Sequence, residues 1–336
     1  NGRDSFARSF SAGAEIFFGG MTDHWNVPAY DYDPTGRYQG KCPQVLDPFL
    51  SKQETYRDCD HISAGTHSSE LIANAALDYL GARSGTAADS PFFMYLAFLA
   101  PHDPRVMPQK YRDLYRDREV PLPDAFMPQH PFDAGVHQIR DEVLAAYPRQ
   151  EEETRQHLVD YYAMITHLDD QIGRVLQGLE ESGEAQNTIV VLAGDNGLAV
   201  GKHGLFGKQN LYDHSVRVPL VMAGPGIESG GRCDTFAYLF DIFPTLCQLI
   251  GEEAPDSVEG KSLLGAMRQG EPGRDEVYLA YERLHRGLRD RRHKLIEYQI
   301  GGRRHTQLFD LEADPDELHD LSGQPAAGQG LADMRR

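Results

Sequence analysis

The stretch TIVVLAGDNGLAVGKHGLFGKQNLYDHSVRVPLVMAGPG, from Thr188 to Gly226, constrains this chain more than any other. It opens on a short apolar, β-branched run, Thr188 to Leu192, whose pattern predicts a buried strand. The run stops at Gly194-Asp195-Asn196-Gly197, where flanking glycines allow a sharp backbone turn. In an open α/β sheet the carboxyl end of a strand is where ligands bind. A carboxylate beside an amide carbonyl is a plausible pair of ligands for a hard cation, so Asp195 and Asn196 are candidate metal ligands. Lys208 follows in a glycine-bearing loop, and a second apolar run, Val216 to Met222, closes at Gly224-Pro225-Gly226. An anion could sit there between a metal and an ammonium. The same residues also admit a plain reading, because Asp-Asn-Gly is a common turn signal and loop lysines are commonly solvated. A P-loop is excluded: Lys202 stands five residues before Gly207 where glycine is required, and Gln209 follows Lys208 where Ser or Thr is required.

The 336 residues exceed one ordinary compact domain, which predicts one large α/β domain plus a smaller unit. A net charge of −18 argues against nucleic acid and anionic membrane surfaces as partners, while leaving room for a local cationic pocket. The longest apolar stretch, Phe92 to Pro101, is too short to span a bilayer. Cys42, Cys59, Cys233 and Cys247 form no Cys-x-x-Cys pair, fitting neither a zinc ribbon nor a dense disulfide scaffold. A bridge between Cys42 and Cys59 is possible but cannot be read from spacing.

Residues 1–60 read as loops, with a short helix near Arg3 to Phe10. Ser68 to Leu80 reads as a helix with Ser68 as a candidate cap. PFFMYLAFLAPHDP, from Pro91, reads as a buried strand that ends in Pro101-His102-Asp103-Pro104. A histidine after a strand is commonly structural, but an edge shared with Asp195 makes His102 a catalytic candidate. Residues 105–150 are proline-rich and predict a long excursion over the binding edge. A long helix from about Glu151 to Gly183 carries Leu158, Tyr161, Tyr162, Ile165, Leu168, Ile172 and Val175 at helical spacing. Strand, crossover and strand predict a parallel arrangement with His102 and Asp195 at one end of the sheet. Thr235 to Gly251 reads as a strand end and then a helix with Pro244 in its first turn. Beyond a linker at 255–275, short strands at 276–281, 286–290, 293–298 and 306–311 predict a small antiparallel sheet. The domains expected are therefore 1–254, a mostly parallel sheet sandwiched by helices, and 255–336, a small α+β subdomain.

Several pieces together carry a family likeness. PFFMYLAFLAPHDP, YYAMITHLDDQIGRVLQGLE, LAGDNG, GKHGLFGKQNLYDHSVRVPLVMAGPG, DIFPTLCQLIG, HKLIEY and QLFDLEADPDE occur in one order from about residue 60 onward. The chain resembles the formylglycine-dependent sulfatases of the alkaline-phosphatase-like superfamily. The resemblance implies a sulfuric ester hydrolase in which three Asp and one Asn hold a calcium ion beside an aldehyde-derived nucleophile. It makes Asp195 and Asn196 the later metal pair and Lys208 the lysine on the sulfate group. It makes His102 the histidine near the leaving-group oxygen, a candidate general acid. A weaker carry-over lets His203 line the substrate pocket.

The departures matter as much. None of the four cysteines and no serine begins the Cys-x-Pro-x-Arg or Ser-x-Pro-x-Arg pattern that holds the nucleophile. The early Asp-Asp pair and the Gly-Lys-x-His segment are also missing, and the chain starts at Asn1 rather than Met. It thus reads as a sulfatase incomplete at its start, with formylglycine expected only upstream and little activity by itself. The substrate expected is a small-molecule or saccharide sulfate ester, and the location periplasmic or secreted. Trp25, Tyr30, Tyr32 and Arg105 either line a carbohydrate or aryl pocket or pack loops. Two further functions stay open: a phosphate or phosphonate ester hydrolase of the same superfamily, and a non-catalytic relative that binds. The Asp-Asn pair suits one oxygen-ligated cation better than the His-rich two-zinc sites of phosphatases.

Overall fold

The computed structural model describes residues 2–45, 54–83, 90–268, 271–325 and 334. Helices α1 (Arg3–Ser9), α2 (Ser68–Arg83), α3 (Gln109–Asp113), α4 (Glu151–Glu181), α5 (Asp213–Val216), α6 (Ile242–Ile250) and α7 (Leu264–Met267) alternate with strands. The strands are β1 (Pro28–Ala29), β2 (Lys41–Val45), β3 (Glu54–Asp58), β4 (His61–Ile62), β5 (Val190–Ala193), β6 (Leu220–Ala223), β7 (Glu276–Tyr281), β8 (His285–Asp290), β9 (His293–Ile300) and β10 (Arg303–Asp310). The chain is thus mixed α/β and closes on a small antiparallel sheet. It forms two compact units: residues 1–120 with 157–186, and residues 121–156 with 187–336.

In the first unit the loop-rich opening is held by aromatic packing rather than by regular structure. Ile16, Tyr30, Tyr38 and Cys59 form a buried cluster, with Phe6, Phe18 and Tyr32 against it. Arg3 donates to the Tyr38 carbonyl (2.9 Å) and to the Tyr30 hydroxyl (3.0 Å), and Tyr32 donates to the Phe10 carbonyl (2.6 Å). Tyr30 and Tyr32 are therefore loop packing. Cys42 and Cys59 are free thiols.

The cap of α2 is not Ser68. His67 occupies the capping position: its Nδ1 accepts the Ser69 N–H (3.2 Å), and its carbonyl accepts the Leu71 N–H (3.0 Å). The Ser68 hydroxyl turns instead to His24 Nδ1 (2.6 Å). In α4 the three glutamates of the first turn lie where the helix dipole favours negative charge. Its buried seam differs from the apolar stripe read in the sequence. Leu158, Ala163, Met164, His167, Gln171 and Leu179 are buried, whereas Tyr162 and Ile165 are 40% and 37% exposed. Polar His167 and Gln171 enter the seam because α4 faces other polar groups there: His167 lies over His67 (4.5 Å) and beside Tyr111 (4.7 Å).

The segment 92–99, predicted as a strand, forms no regular element and joins no ladder among the described residues. Its side chains alternate between half-buried and exposed, with Phe93 70% and Tyr95 64% exposed. The expected parallel pairing with 188–193 is likewise absent among the described residues. The only neighbour of β5 there is β6, which runs antiparallel (Val190↔Ala223, Ala193↔Leu220). An apolar run specifies an extended chain and its faces, but backbone edges carry no side-chain code, so the partner is not written in the strand.

In the second unit Leu205, Leu211, Tyr212, Ile296, Tyr298 and Phe309 form the main core. The C-terminal sheet is antiparallel as expected, and its strands run as a meander in the order β10-β9-β8-β7. Gly301 and Gly302, at φ +55° and +77°, supply the two-residue turn between β9 and β10. Pro244 is the third residue of α6, within its first turn as expected.

Gly204 gives a direct test of how tightly the second unit is built. Its φ is +71°, and a Cβ there would lie 2.2 Å from the backbone of Gln129 and His130. Gly230 has nearly the same φ, +72°, with nothing within 4 Å. Gly204→Ala is expected to cost about 2 kcal/mol or more beyond Gly230→Ala, which carries only the left-handed strain of about 1–2 kcal/mol. Equal midpoints for the two variants in chemical denaturation would refute this.

Candidate active site

The connection from Gly194 to Pro219 carries most of the predicted site residues, and its backbone explains how. Beyond Asn196 it folds back on itself: Ala199 N–H donates to the Gly207 carbonyl (2.9 Å), Val200 to Phe206 (3.3 Å) and Gly201 to Leu205 (2.8 Å). This pairing sets Gly207 opposite Ala199, and Lys208 follows directly. Gly197 is pinned as well, its N–H donating to the Ser215 carbonyl (2.9 Å). A Cβ at Gly197 would meet the His214 carbonyl oxygen at 1.9 Å, so only glycine fits.

Asp195 and Asn196 lie just past β5, and both are exposed. One Asp195 oxygen, Oδ1, accepts the Asn196 N–H (2.9 Å). Lys208 is half-buried; its N–H donates to Gln209 Oε1 (3.0 Å). Among the described residues no group of three or more His, Cys, Asp or Glu side chains gathers to hold a metal. The Asp195–Asn196 pair fits a hard cation in donor type, both groups offering oxygen, and supplies part of the six to eight ligands calcium takes.

His203 sits at the turn of the folded-back loop, at φ +54°, with its N–H donating to the Ala125 carbonyl (2.7 Å). It is 3% exposed and lies face to face with Tyr212, centroids 3.9 Å apart and planes 2° off parallel. Burial, with His130 and Lys202 adding like charge, holds its pKa down at about 3. Its contacts are those of a neutral, packed ring.

His102 belongs to the first unit. Its Nδ1 lies 2.9 Å from the Asp103 carbonyl, which can only accept, so Nδ1 carries the proton and Nε2 is left for proton exchange. The His102 carbonyl accepts from His24 Nε2 (3.0 Å), which leaves His24 Nδ1 to accept the Ser68 hydroxyl. His24 is 1% exposed, and burial lowers its pKa, keeping this relay neutral. His67 stacks on His24 at 5.0 Å and is pushed to about 3 by burial, then by His167.

The sequence reading missed two groups around the Lys208 loop. Asp213, in α5, shares the fully buried Lys294 of β9 with Glu317, whose Oε1 lies 2.6 Å from Lys294 Nζ. Burial works to raise both carboxylates. Lys294 and Arg289 outweigh it at Asp213, whose pKa is lowered, while Glu317 stays raised. The other group is Glu142 with Arg149, both buried, which bond the backbone of residues 204–207. No periodicity marks Glu142 and Arg149 inside a proline-rich loop, and Asp213, Lys294 and Glu317 lie too far apart in sequence for spacing to join them.

Residues 9–252, more than half of the chain, match the sulfatase family. The chain belongs to that family. Residues 201–336 also match the C-terminal region of N-sulphoglucosamine sulphohydrolase. A choline-sulfatase of Rhizobium meliloti is 32% identical over 264 residues, covering 76% of this chain and 51% of the relative. A multifunctional alkaline phosphatase superfamily protein of Trinickia caryophylli is 30% identical over 294 residues, covering 77% and 56%. This sulfatase-family chain thus spans about half the length of the curated relatives it matches. A solved structure described as bound to its substrate D-glucosamine-2-N,6-O-disulfate superposes with a TM-score of 0.67 at 20% identity, covering 85% of this chain and 70% of that one. That likeness establishes the alkaline-phosphatase-like fold.

The buried neutral histidines make acid sensitivity a measurable property. Their folded pKa values, about 3 for His67 and His203 and about 4 for His130, lie below the unfolded value near 6.5. The stability they contribute is complete above pH 6.5 and is lost as pH falls toward 4 and 3. Each ring costs about 1.4 kcal/mol per pH unit within that window. Thermal unfolding from pH 7 to pH 5 should show a falling Tm, and His203→Phe should lower the slope by about one proton. A flat Tm across that range would contradict the assignment.

Proposed function

We propose that the protein to which this chain belongs hydrolyses sulfate esters, through a calcium-assisted reaction at the Asp195–Lys208 loop. The observation that supports this reading is that one connection, between β5 and β6, carries both the oxygen-bearing Asp195-Asn196 turn and, beyond its folded-back stretch, Lys208, in a chain of the sulfatase family. Sulfatases as a family generally depend on calcium. Asp195 and Asn196 would supply two of the ion's oxygen ligands, and the ion would withdraw charge from the sulfate oxygens. The Lys208 ammonium neutralises charge on a non-bridging sulfate oxygen, a contact that strengthens as the ester bond breaks. His102, with Nδ1–H committed to the Asp103 carbonyl, would take up a proton at Nε2 and pass it to the leaving alkoxide, returning to the neutral ring. None of the 336 residues lies in Cys-x-Pro-x-Arg or Ser-x-Pro-x-Arg, so the attacking group is not assigned to this chain.

The relatives support a small-molecule or saccharide sulfate ester as substrate, since one is named a choline-sulfatase and one solved neighbour was captured with a disulfated glucosamine. A periplasmic or secreted location fits such a substrate. One similarity favours a wider range: the Trinickia caryophylli relative is named a multifunctional alkaline phosphatase superfamily protein. Hydrolysis of a phosphate or phosphonate ester is therefore the second reading.

The full-length protein should hydrolyse 4-nitrophenyl sulfate in the presence of calcium, lose turnover on chelation and regain it when calcium returns. Lys208→Ala should lower turnover by about two orders of magnitude with little change in unfolding midpoint. Faster hydrolysis of 4-nitrophenyl phenylphosphonate than of the sulfate would select the second reading. Undiminished activity in Lys208→Ala would remove the lysine from the mechanism.

A further inference from the structure

The Lys208 loop is held from outside by the segment 121–156, and the way it is held points to a role beyond packing. Glu142 and Arg149 form an ion pair whose side chains are 2% and 1% exposed. Glu142 Oε1 accepts the Gly207 N–H (2.8 Å), and its carboxylate accepts the Phe206 N–H (2.9 Å to Oε2). Arg149 donates from Nε to the Gly204 carbonyl (3.1 Å) and from Nη1 to the Glu142 carbonyl (2.8 Å) and the Ala145 carbonyl (3.0 Å). Asp141 adds a third hold. Its Oδ2 accepts from Gln209 Nε2 (2.8 Å), while Gln209 Oε1 accepts the Lys208 N–H (3.0 Å). The residues on both sides of Lys208 are thus tied to two adjacent carboxylates. Gly207 is fitted into this cradle, where a Cβ would lie 2.7 Å from Asp141 Cβ.

A buried ion pair is a poor way to gain stability alone, because well-packed apolar residues of the same volume commonly do as well. What a carboxylate supplies that an apolar side chain cannot is direction. It fixes two successive N–H vectors and so the path of the backbone into the next residue. Lysine has a long flexible stem, and the reach of its ammonium depends on where its Cα is held. We propose that Glu142, locked by Arg149, is a positioning residue for Lys208, fixing the loop so that its ammonium meets the substrate anion.

This rests on the sulfate-contacting role assigned to Lys208 above, so the test has two arms in the full-length protein. Glu142→Gln keeps the shape but presents an NH2 group where oxygen accepted an N–H or faced Arg149. Amide hydrogen exchange at Phe206 and Gly207 should speed up at least tenfold, with β7–β10 unchanged; unchanged exchange at those two amides overturns the proposal. On 4-nitrophenyl sulfate, Glu142→Gln should lower kcat at least tenfold in the wild-type background but less than about twofold in Lys208→Ala. A non-additive cycle of this kind marks a residue acting through Lys208. Equal losses in both backgrounds would mark a merely structural role and overturn the proposal. If the wild type turns over no sulfate ester, the proposed function fails, and the exchange arm still decides the clamp. Should Glu142→Gln not fold, Gln209→Leu, which releases Lys208 from Asp141, is read by the same two measurements with the same expected outcomes.

Discussion

Buried backbone that belongs to no helix or sheet must still find hydrogen-bond partners, and in this protein that requirement falls on the connection between β5 and β6. From Ala199 to Leu205 the chain is almost wholly buried, yet it contains no regular element. It meets the demand in two ways: by pairing with itself between Ala199 and Gly207, and by borrowing acceptors from Glu142 and donors from Arg149. The glycines at 197, 204 and 207 follow from this closeness, since a side chain at any of them would strike neighbouring atoms. Its rigidity thus comes from satisfied polar groups at close range.

The charges around this loop are arranged in layers of different character. Asp195 and Asn196 are exposed, whereas the Glu142–Arg149 and Lys294–Asp213–Glu317 groups are buried and compensated within the fold. A chain with net charge −18 has an excess of carboxylates, and these buried cations are spent on structural partners. Lys208, in the same connection as the exposed pair, is half-buried. The buried histidines take a third course. His24, His67, His130 and His203 are kept neutral by burial; the first three hydrogen-bond through their rings, and His203 stacks on Tyr212.

Much of the fold was legible before any coordinates. The long helix α4, the helix α2, the strand before Gly194 and the C-terminal antiparallel strands follow from periodicity and turn signals, which act over short range. Misreadings occurred where a choice depended on remote neighbours. Ser68 looks like a cap, but His67 takes that place because Ser68 is engaged by His24, far off in sequence. Tyr162 and Ile165 look like core, yet His167 and Gln171 are buried, because the surfaces facing α4 include His67 and Tyr111.

The sequence by itself determined the chemical vocabulary: an Asp-Asn pair at a strand end, a lysine in a glycine loop, a histidine after an apolar run, and enough ordered motifs to name the sulfatase family. These are local facts, since residue type and spacing are printed in the chain. Only the tertiary structure decided what holds that vocabulary in place. The antiparallel pairing of β5 with β6, the stacking of His203 on Tyr212 and the grip of Glu142 on the amides beside Lys208 join residues far apart in sequence. Nothing in Glu142 or Gly207 alone specifies the other. Their contact exists because the fold excludes water there, and an N–H group deprived of water must be answered by whichever acceptor the packing brings within reach.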